Sequence, residues 1–226
     1  MTISKNHFII AKETNARVSG SAGRGIPAIH ARRHSGPAAP KGSDCLKTKN
    51  LVYAAVAAAL TVVCAQLVVP LPFTPVPFSM AVFAVYLTGA LLPMRCGFYA
   101  QLTYLLLGAA GLPVFGGFSG GIGVILGPTG GYLLAYPLMA LLVALWIRRA
   151  GGKTVVSLSA GMPSALAACY LCGSLWFCVV SHVTWDRAAA LTILPFLPFD
   201  LVKIVICVPL SMALNKALGK ARLLPS

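Results

Sequence analysis

Residues 108–132 read GAAGLPVFGGFSGGIGVILGPTGGY, an uncharged stretch set between segments apolar enough to sit in a bilayer. Glycines at this density oppose a regular transmembrane helix, because each lowers helix propensity and exposes backbone. Leu112, Val114, Phe115, Ile122, Val124, Ile125 and Leu126 make the stretch too apolar for a solvated linker. Non-helical backbone at membrane depth persists only where protein buries it or where it lines a cavity. The stretch is therefore expected to form the wall of a pocket.

Composition agrees with a membrane location. Of 226 residues, 58% are hydrophobic and only 10% charged, with a mean hydropathy of +0.84; soluble domains carry about 25% charged residues. The formal net charge is +14, but nine of the eighteen Lys and Arg residues precede Leu51 and most others flank apolar segments. That is the pattern of topology signals rather than of a nucleic-acid surface. No nucleic-acid partner is expected; lipid is. Cys169 and Cys172 form a CxxC, and Cys178 with His182 has i,i+4 spacing. They are strung along one apolar segment without the paired, polar setting of a metal site, so no metal is expected.

The chain divides into a basic tail, 1–49, and an all-α membrane domain, 50–222. The tail is polar, lacks periodic apolar residues and is expected to be disordered. It reads either as a cytoplasmic extension or as an overlong start. It shows no apolar core of the kind a signal peptide needs. Six helices are expected: 51–69, 79–92, 97–107, 131–147, 158–183 and 188–218, the last broken near Pro195 and Pro198. PLPFTPVPF at 70–78 is a stiff, extended loop suited to folding over a site. Gln101 and Tyr104 share a face of the third helix, where polar side chains turn to the bundle interior. Ala55 and Ala59, like Ala54 and Ala58, are small residues four apart, a face that lets another helix approach closely.

With the N-terminus inside, the inner segments hold the tail, Arg95, Arg148, Arg149, Lys153, Lys216, Lys220 and Arg222, while the outer segments hold only Arg187. By the positive-inside rule both termini are cytoplasmic, and the proline loop and glycine-rich stretch face outward together. Asp200 and Lys203 are three apart in the last helix and so on one face. Each would cost roughly 2.5–3.5 kcal/mol at a helix centre on insertion scales, partly offset by pairing. Intramembrane ionisable residues are ligand or pathway residues by default, so the pair is read as a polar anchor for a ligand.

Assembled, these residues resemble the BioY family, the biotin-binding membrane subunits (S components) of energy-coupling factor vitamin transporters. The resemblance runs from about residue 51 to 218. It rests on PVPF at 75–78, YLLLGAAGLPVF at 104–115, GPTGGY at 127–132 and PFDLVK at 198–203. It implies a six-helix bundle in the cytoplasmic membrane of a bacterium that captures biotin from outside. It also implies partners: a transmembrane coupling (T) component and paired cytoplasmic ATPases. The chain has no GxxxxGK[ST] phosphate loop of its own, which suits that division of labour. The family resemblance places Asp200 and Lys203 at ligand-contacting positions, the loop around Phe73 and Thr74 as a lid, and Ala55 and Ala59 on the face that docks the coupling component. One departure stands before the last-helix Asp, where the family often has Gly and this chain has Phe199.

Biotin needs donors and acceptors for its ureido ring, an apolar wall for its thiophane ring and chain, and donors for its carboxylate. Asp200, Lys203, Gln101, Tyr104, Thr129 and Tyr132 are the candidate polar contacts, with Phe73, Phe115 and Val114 as wall. Which end of biotin meets Lys203 stays open, the ammonium–carboxylate contact being the simple arrangement. The competing reading is a stand-alone ion-coupled transporter of another small carboxylate-bearing solute. It predicts pseudo-repeated halves and more intramembrane carboxylates than Asp200 alone. No nucleophile–base pair or HExxH converges, so no catalytic residue and no cofactor are expected.

Overall fold

The computed structural model describes residues 48–70, 72 and 76–220. The expected disordered tail lies outside the described residues, except that its last two positions already belong to the first helix. Phe73 and Thr74 also lie outside them.

The described chain is helical, in the order α1 (Thr48–Gln66), α2 (Ala81–Leu91), α3 (Met94–Ala109), α4 (Ile122–Leu126), α5 (Gly130–Arg149), α6 (Val155–Ser181), α7 (Trp185–Thr192) and α8 (Leu197–Lys220). Two short strands, β1 (Val68–Val69) and β2 (Phe78–Ser79), pair antiparallel between α1 and α2. The first helix therefore stops short of its expected end at 69. Pro70 disfavours helical backbone at the residue before it, and Val68–Val69 instead take extended conformation against Phe78–Ser79. The third helix also begins earlier than the expected 97, at Met94. Pro93 sits at the N-cap of α3 with φ −56° and ψ 146°, a position where its missing N–H costs nothing, and the helix starts at once.

α5 is the hub, packing on α6, α3, α2 and α4, while α8 closes the bundle against α2 and α6. The α5–α6 seam depends on close approach: a Cβ on Gly131 would overlap Trp176, and one on Gly173 would overlap the Tyr132 ring. Val85, Met139, Ala140, Val143, Met162 and Ala165 are fully buried at the centre. The outer faces are equally apolar. Val52, Val56 and Val63 on α1 and Val202, Val205 and Ile206 on α8 are all more than half exposed, the arrangement of side chains that face lipid rather than water.

α5, α6 and α8 are each long and apolar enough to cross a membrane, and residues 50–66 and 81–91 are shorter apolar helices. The last expected helix is in fact two elements. α7 is a short helix with Asp186 in its first turn, and α8 begins at Leu197 with Pro198 in its first turn, where proline is tolerated. The glycine-rich stretch contains a 3₁₀ turn (Gly116–Phe118) and α4, joined by non-helical backbone.

Candidate ligand-binding site

Asp200 and Lys203 face inward from the first turns of α8, each only 5% exposed. The Lys203 Nζ donates to Asp200 Oδ1 at 2.8 Å and to the Ser79 backbone carbonyl at 2.7 Å, and lies 3.9 Å from the centroid of the Phe78 ring. The Tyr170 hydroxyl of α6 donates to Asp200 Oδ2 at 2.6 Å. The charged pair thus joins β2, α6 and α8. A buried ion pair is tolerated only when further hydrogen bonds satisfy its remaining atoms, and here two other elements, β2 and α6, supply them.

The sequence pattern located the pair but not these supports. Ser79 acts through its carbonyl and Phe78 through its ring face, and neither role is written in residue type. Tyr170 was discoverable as a hydroxyl one position after Cys169 in an apolar helix, but only folding aims it at Asp200.

A cavity of about 70 Å³ opens beside the pair, walled by Tyr132, Tyr136, Leu166, Cys169, Tyr170 and Phe196. A second, of about 100 Å³, is walled by Tyr104, Phe115, Val124, Thr129, Tyr132 and Tyr136. Val76, Pro77, Ser79, Tyr132 and Tyr136 line both, so the two adjoin. The first offers charge and hydroxyls, the second mainly aromatic and aliphatic surface. The Tyr132 hydroxyl lies 3.3 Å from Ser174 Oγ, which lies 3.0 Å from Thr192 Oγ1, a chain of neutral hydroxyls behind the shared wall.

The glycine-rich stretch supplies the second cavity's wall, as its apolar composition suggested. Phe115 is 1% exposed and meets Tyr104 edge-on at 5.6 Å, and Tyr104 stacks on Tyr136 at 6.2 Å. Phe115 rests on Gly108, where any Cβ would collide with its ring. The Tyr104 hydroxyl is buried without a hydrogen-bond partner among the described residues. An unpartnered buried hydroxyl costs about 1–3 kcal/mol.

Two residues unremarked in the sequence hold this wall. At the end of α1, Gln66 donates through Nε2 to the Val114 and Phe115 carbonyls at 3.3 and 3.1 Å, and its Oε1 accepts from the Phe118 N–H at 2.9 Å. From α6, Trp176 Nε1 donates to the Gly127 carbonyl at 3.0 Å. A polar Gln closing an apolar segment was the available signal for the first.

The remaining expectations fall in three places. Asp200, Lys203, Tyr104, Thr129, Tyr132 and Phe115 come together around the adjoining cavities. Gln101 does not line either one. It is fully buried between α1, α2 and α3, donating to Thr61 Oγ1 at 3.0 Å and Thr88 Oγ1 at 3.1 Å. Ala55 and Ala59 are exposed on the outer face of α1, whereas Ala54 and Ala58 are turned inside. Phe199 points outward, 55% exposed, and its ring meets that of Phe78 at 5.4 Å in a tilted arrangement rather than entering the cavity. Its effect on the pair therefore runs through the ring that covers Lys203. Among the described residues no group of three or more His, Cys, Asp or Glu is placed to hold a metal.

Comparison with known proteins agrees with this architecture. The BioY family model matches residues 37–220. The chain is 42% identical over 158 residues to a probable biotin transporter BioY of Pyrococcus horikoshii, covering 70% of this chain and 91% of the relative. It is 36% identical over 170 residues to the biotin transporter BioY of Thermotoga maritima, covering 74% and 96%. These relatives are transporters, not enzymes. Among solved structures, the S-component for biotin from an ECF-type ABC transporter superposes with a TM-score of 0.70 at 26% identity, covering 76% of this chain and 93% of that one. With four-fifths of its length under the family model and its described helices superposing on an S-component, the chain belongs to the BioY family.

Proposed function

We propose that this chain is the membrane-embedded biotin-binding subunit of a vitamin uptake transporter, taking biotin from the outer side of a bacterial cytoplasmic membrane. The observation that carries the reading is the buried Asp200–Lys203 pair, held by Tyr170 and Ser79, opening on a cavity that adjoins an aromatic one. The pair is internally neutral. Two of the ammonium's three donors are engaged and its third side meets the Phe78 ring, whereas the carboxylate keeps acceptor capacity. Such a pair suits the N–H groups of a ureido ring better than a carboxylate. The thiophane ring and chain then lie along Tyr104, Phe115 and Tyr136.

α1, α2, α3, α5, α6 and α8 are the six spans, with both termini on the cytoplasmic side. α2 has 11 residues, about 16 Å of helix, roughly half the hydrocarbon thickness. Its shortness leaves room above it for β2 and the cavities. The Ala55 and Ala59 face docks a transmembrane coupling component that links the subunit to paired ATPases.

The test is equilibrium binding of radiolabelled biotin to the detergent-purified chain, competed by biotin methyl ester and by a biotin analogue alkylated on its ureido nitrogens. Tight binding blocked by the ester but not by the alkylated analogue supports the reading. A folded chain that binds no biotin removes it.

A further inference from the structure

The end of the bundle away from the biotin cavities holds a larger space of about 260 Å³. It lies where α2 ends, α3 begins and α5 ends, and it carries two cations, Arg148 and Lys153. Lys153, in the loop between α5 and α6, is partly buried. Its Nζ donates to the Leu91 carbonyl at 2.9 Å and to Asn215 Oδ1 at 3.2 Å, so both partners are neutral oxygens and one donor is left over. Burial lowers its pKa from the ordinary lysine value. The Arg148 guanidinium, on the last turn of α5, is exposed and has no hydrogen bond or ion pair among the described residues. α3 starts on the same wall at Pro93 and Met94 without a side-chain cap, adding the partial positive charge of a helix N-terminus.

No acidic side chain answers these charges among the described residues; the C-terminal carbonyls of α2 and α5 offer only partial negative charge. The chain has only four acidic residues: Glu13 and Asp44 lie outside the described part, Asp186 opens α7, and Asp200 is bound to Lys203. A cation withdrawn from water without an anion is costly, and this cavity has room for one.

We propose that this cavity binds an anionic phosphate group, held by Arg148, Lys153 and the start of α3. Its position at the end of a membrane bundle, between helices and among Leu91, Leu92 and Ile147, fits the headgroup of an acidic phospholipid with its chains against the apolar flank. The Lys153 contacts would then brace the C-terminal end of α2 and the Asn215 turn of α8, the helix whose first turns carry the Asp200–Lys203 pair.

The experiment is native mass spectrometry of the full chain in detergent with phosphatidylglycerol or phosphatidylcholine added, repeated with inorganic phosphate as competitor. Arg148→Gln and Arg149→Gln carry the same charge change, but only Arg148 lines the cavity. The expected result is retention of phosphatidylglycerol over phosphatidylcholine, with about a fivefold loss in Arg148→Gln and little loss in Arg149→Gln. If neither lipid is retained while phosphate adducts form on the parent chain and are lost in Arg148→Gln, the phosphate site stands and its source is soluble. Equal retention of both lipids without any phosphate effect overturns the proposal, as do equal losses in the two variants. Lys153→Gln is compared only if its melting shows a folded chain, since Lys153 also ties three elements together; Arg148→Gln decides the matter alone otherwise.

Discussion

Neutralising Asp200 and Lys203 separately and together separates the stability of the pair from its use. In Asp200→Asn the Lys203 ammonium keeps only neutral oxygens and the Phe78 ring, a charge left 95% buried without its counterion. In Lys203→Met the carboxylate keeps only the Tyr170 hydroxyl. Breaking a buried pair from either side costs about 3–5 kcal/mol, whereas replacing both partners with groups of similar volume is often neutral. The double variant is therefore expected to recover most of the loss, with a coupling of at least about 2 kcal/mol read from unfolding in detergent. Biotin binding should not recover. Losing two charge-assisted contacts worth about 1.5–3 kcal/mol each lowers affinity by roughly a hundredfold to ten-thousandfold. Single losses below about 1 kcal/mol that simply add would refute the buried coupled pair. A double variant that binds biotin like the parent would place the polar anchor elsewhere.

Three further perturbations address the rest of the site. Tyr104→Phe removes a buried hydroxyl without a partner, so the ligand-free chain should be unchanged or about 1 kcal/mol more stable, while biotin affinity falls about tenfold; thermal melting beside equilibrium binding checks both signs, and loss of stability would show that the hydroxyl already has a partner. Gln66→Leu deletes three hydrogen bonds that hold residues 114–118, and is expected to cost about 1–3 kcal/mol and to raise the biotin dissociation rate more than it changes the association rate; stopped-flow kinetics showing unchanged dissociation would mean that the wall holds without the clamp. Ala55→Leu with Ala59→Leu adds bulk to an exposed face, so stability should move by less than about 0.5 kcal/mol and biotin binding stay at the parent level, while uptake with the coupling partners is lost; normal uptake in whole cells would move the docking face off α1.

The helical class, the membrane setting and the glycine-rich pocket wall could all be read from residue type and spacing. Hydropathy and periodicity are local properties, and a chain with 10% charged residues has little choice of solvent. The Asp200–Lys203 pairing was legible for the same reason, since residues three apart on a helix must share a face. Helix ends were read less well where proline decided them: Pro70 cut α1 back to Gln66, and Pro93 started α3 at Met94. Gln101 shows the limit most clearly. Its polarity marked it as inward-facing, and it is inward-facing, but Thr61 and Thr88 from two neighbouring helices take its donors before any cavity is reached.

What local pattern could not determine is which inward groups meet. Tyr170 reaches Asp200 across 30 positions of sequence, Lys203 reaches the Ser79 carbonyl across 124, and Gln66 reaches Phe115 across 49. Each contact exists because α5 gathers α2, α3 and α6 around itself and α8 closes the remaining side. The sequence by itself determined the solvent, the helices and the polar residue types that turn inward. Only the tertiary structure decided which of them share a cavity, because a contact between distant segments is set by how helices pack and not by the residues that happen to be neighbours along the chain.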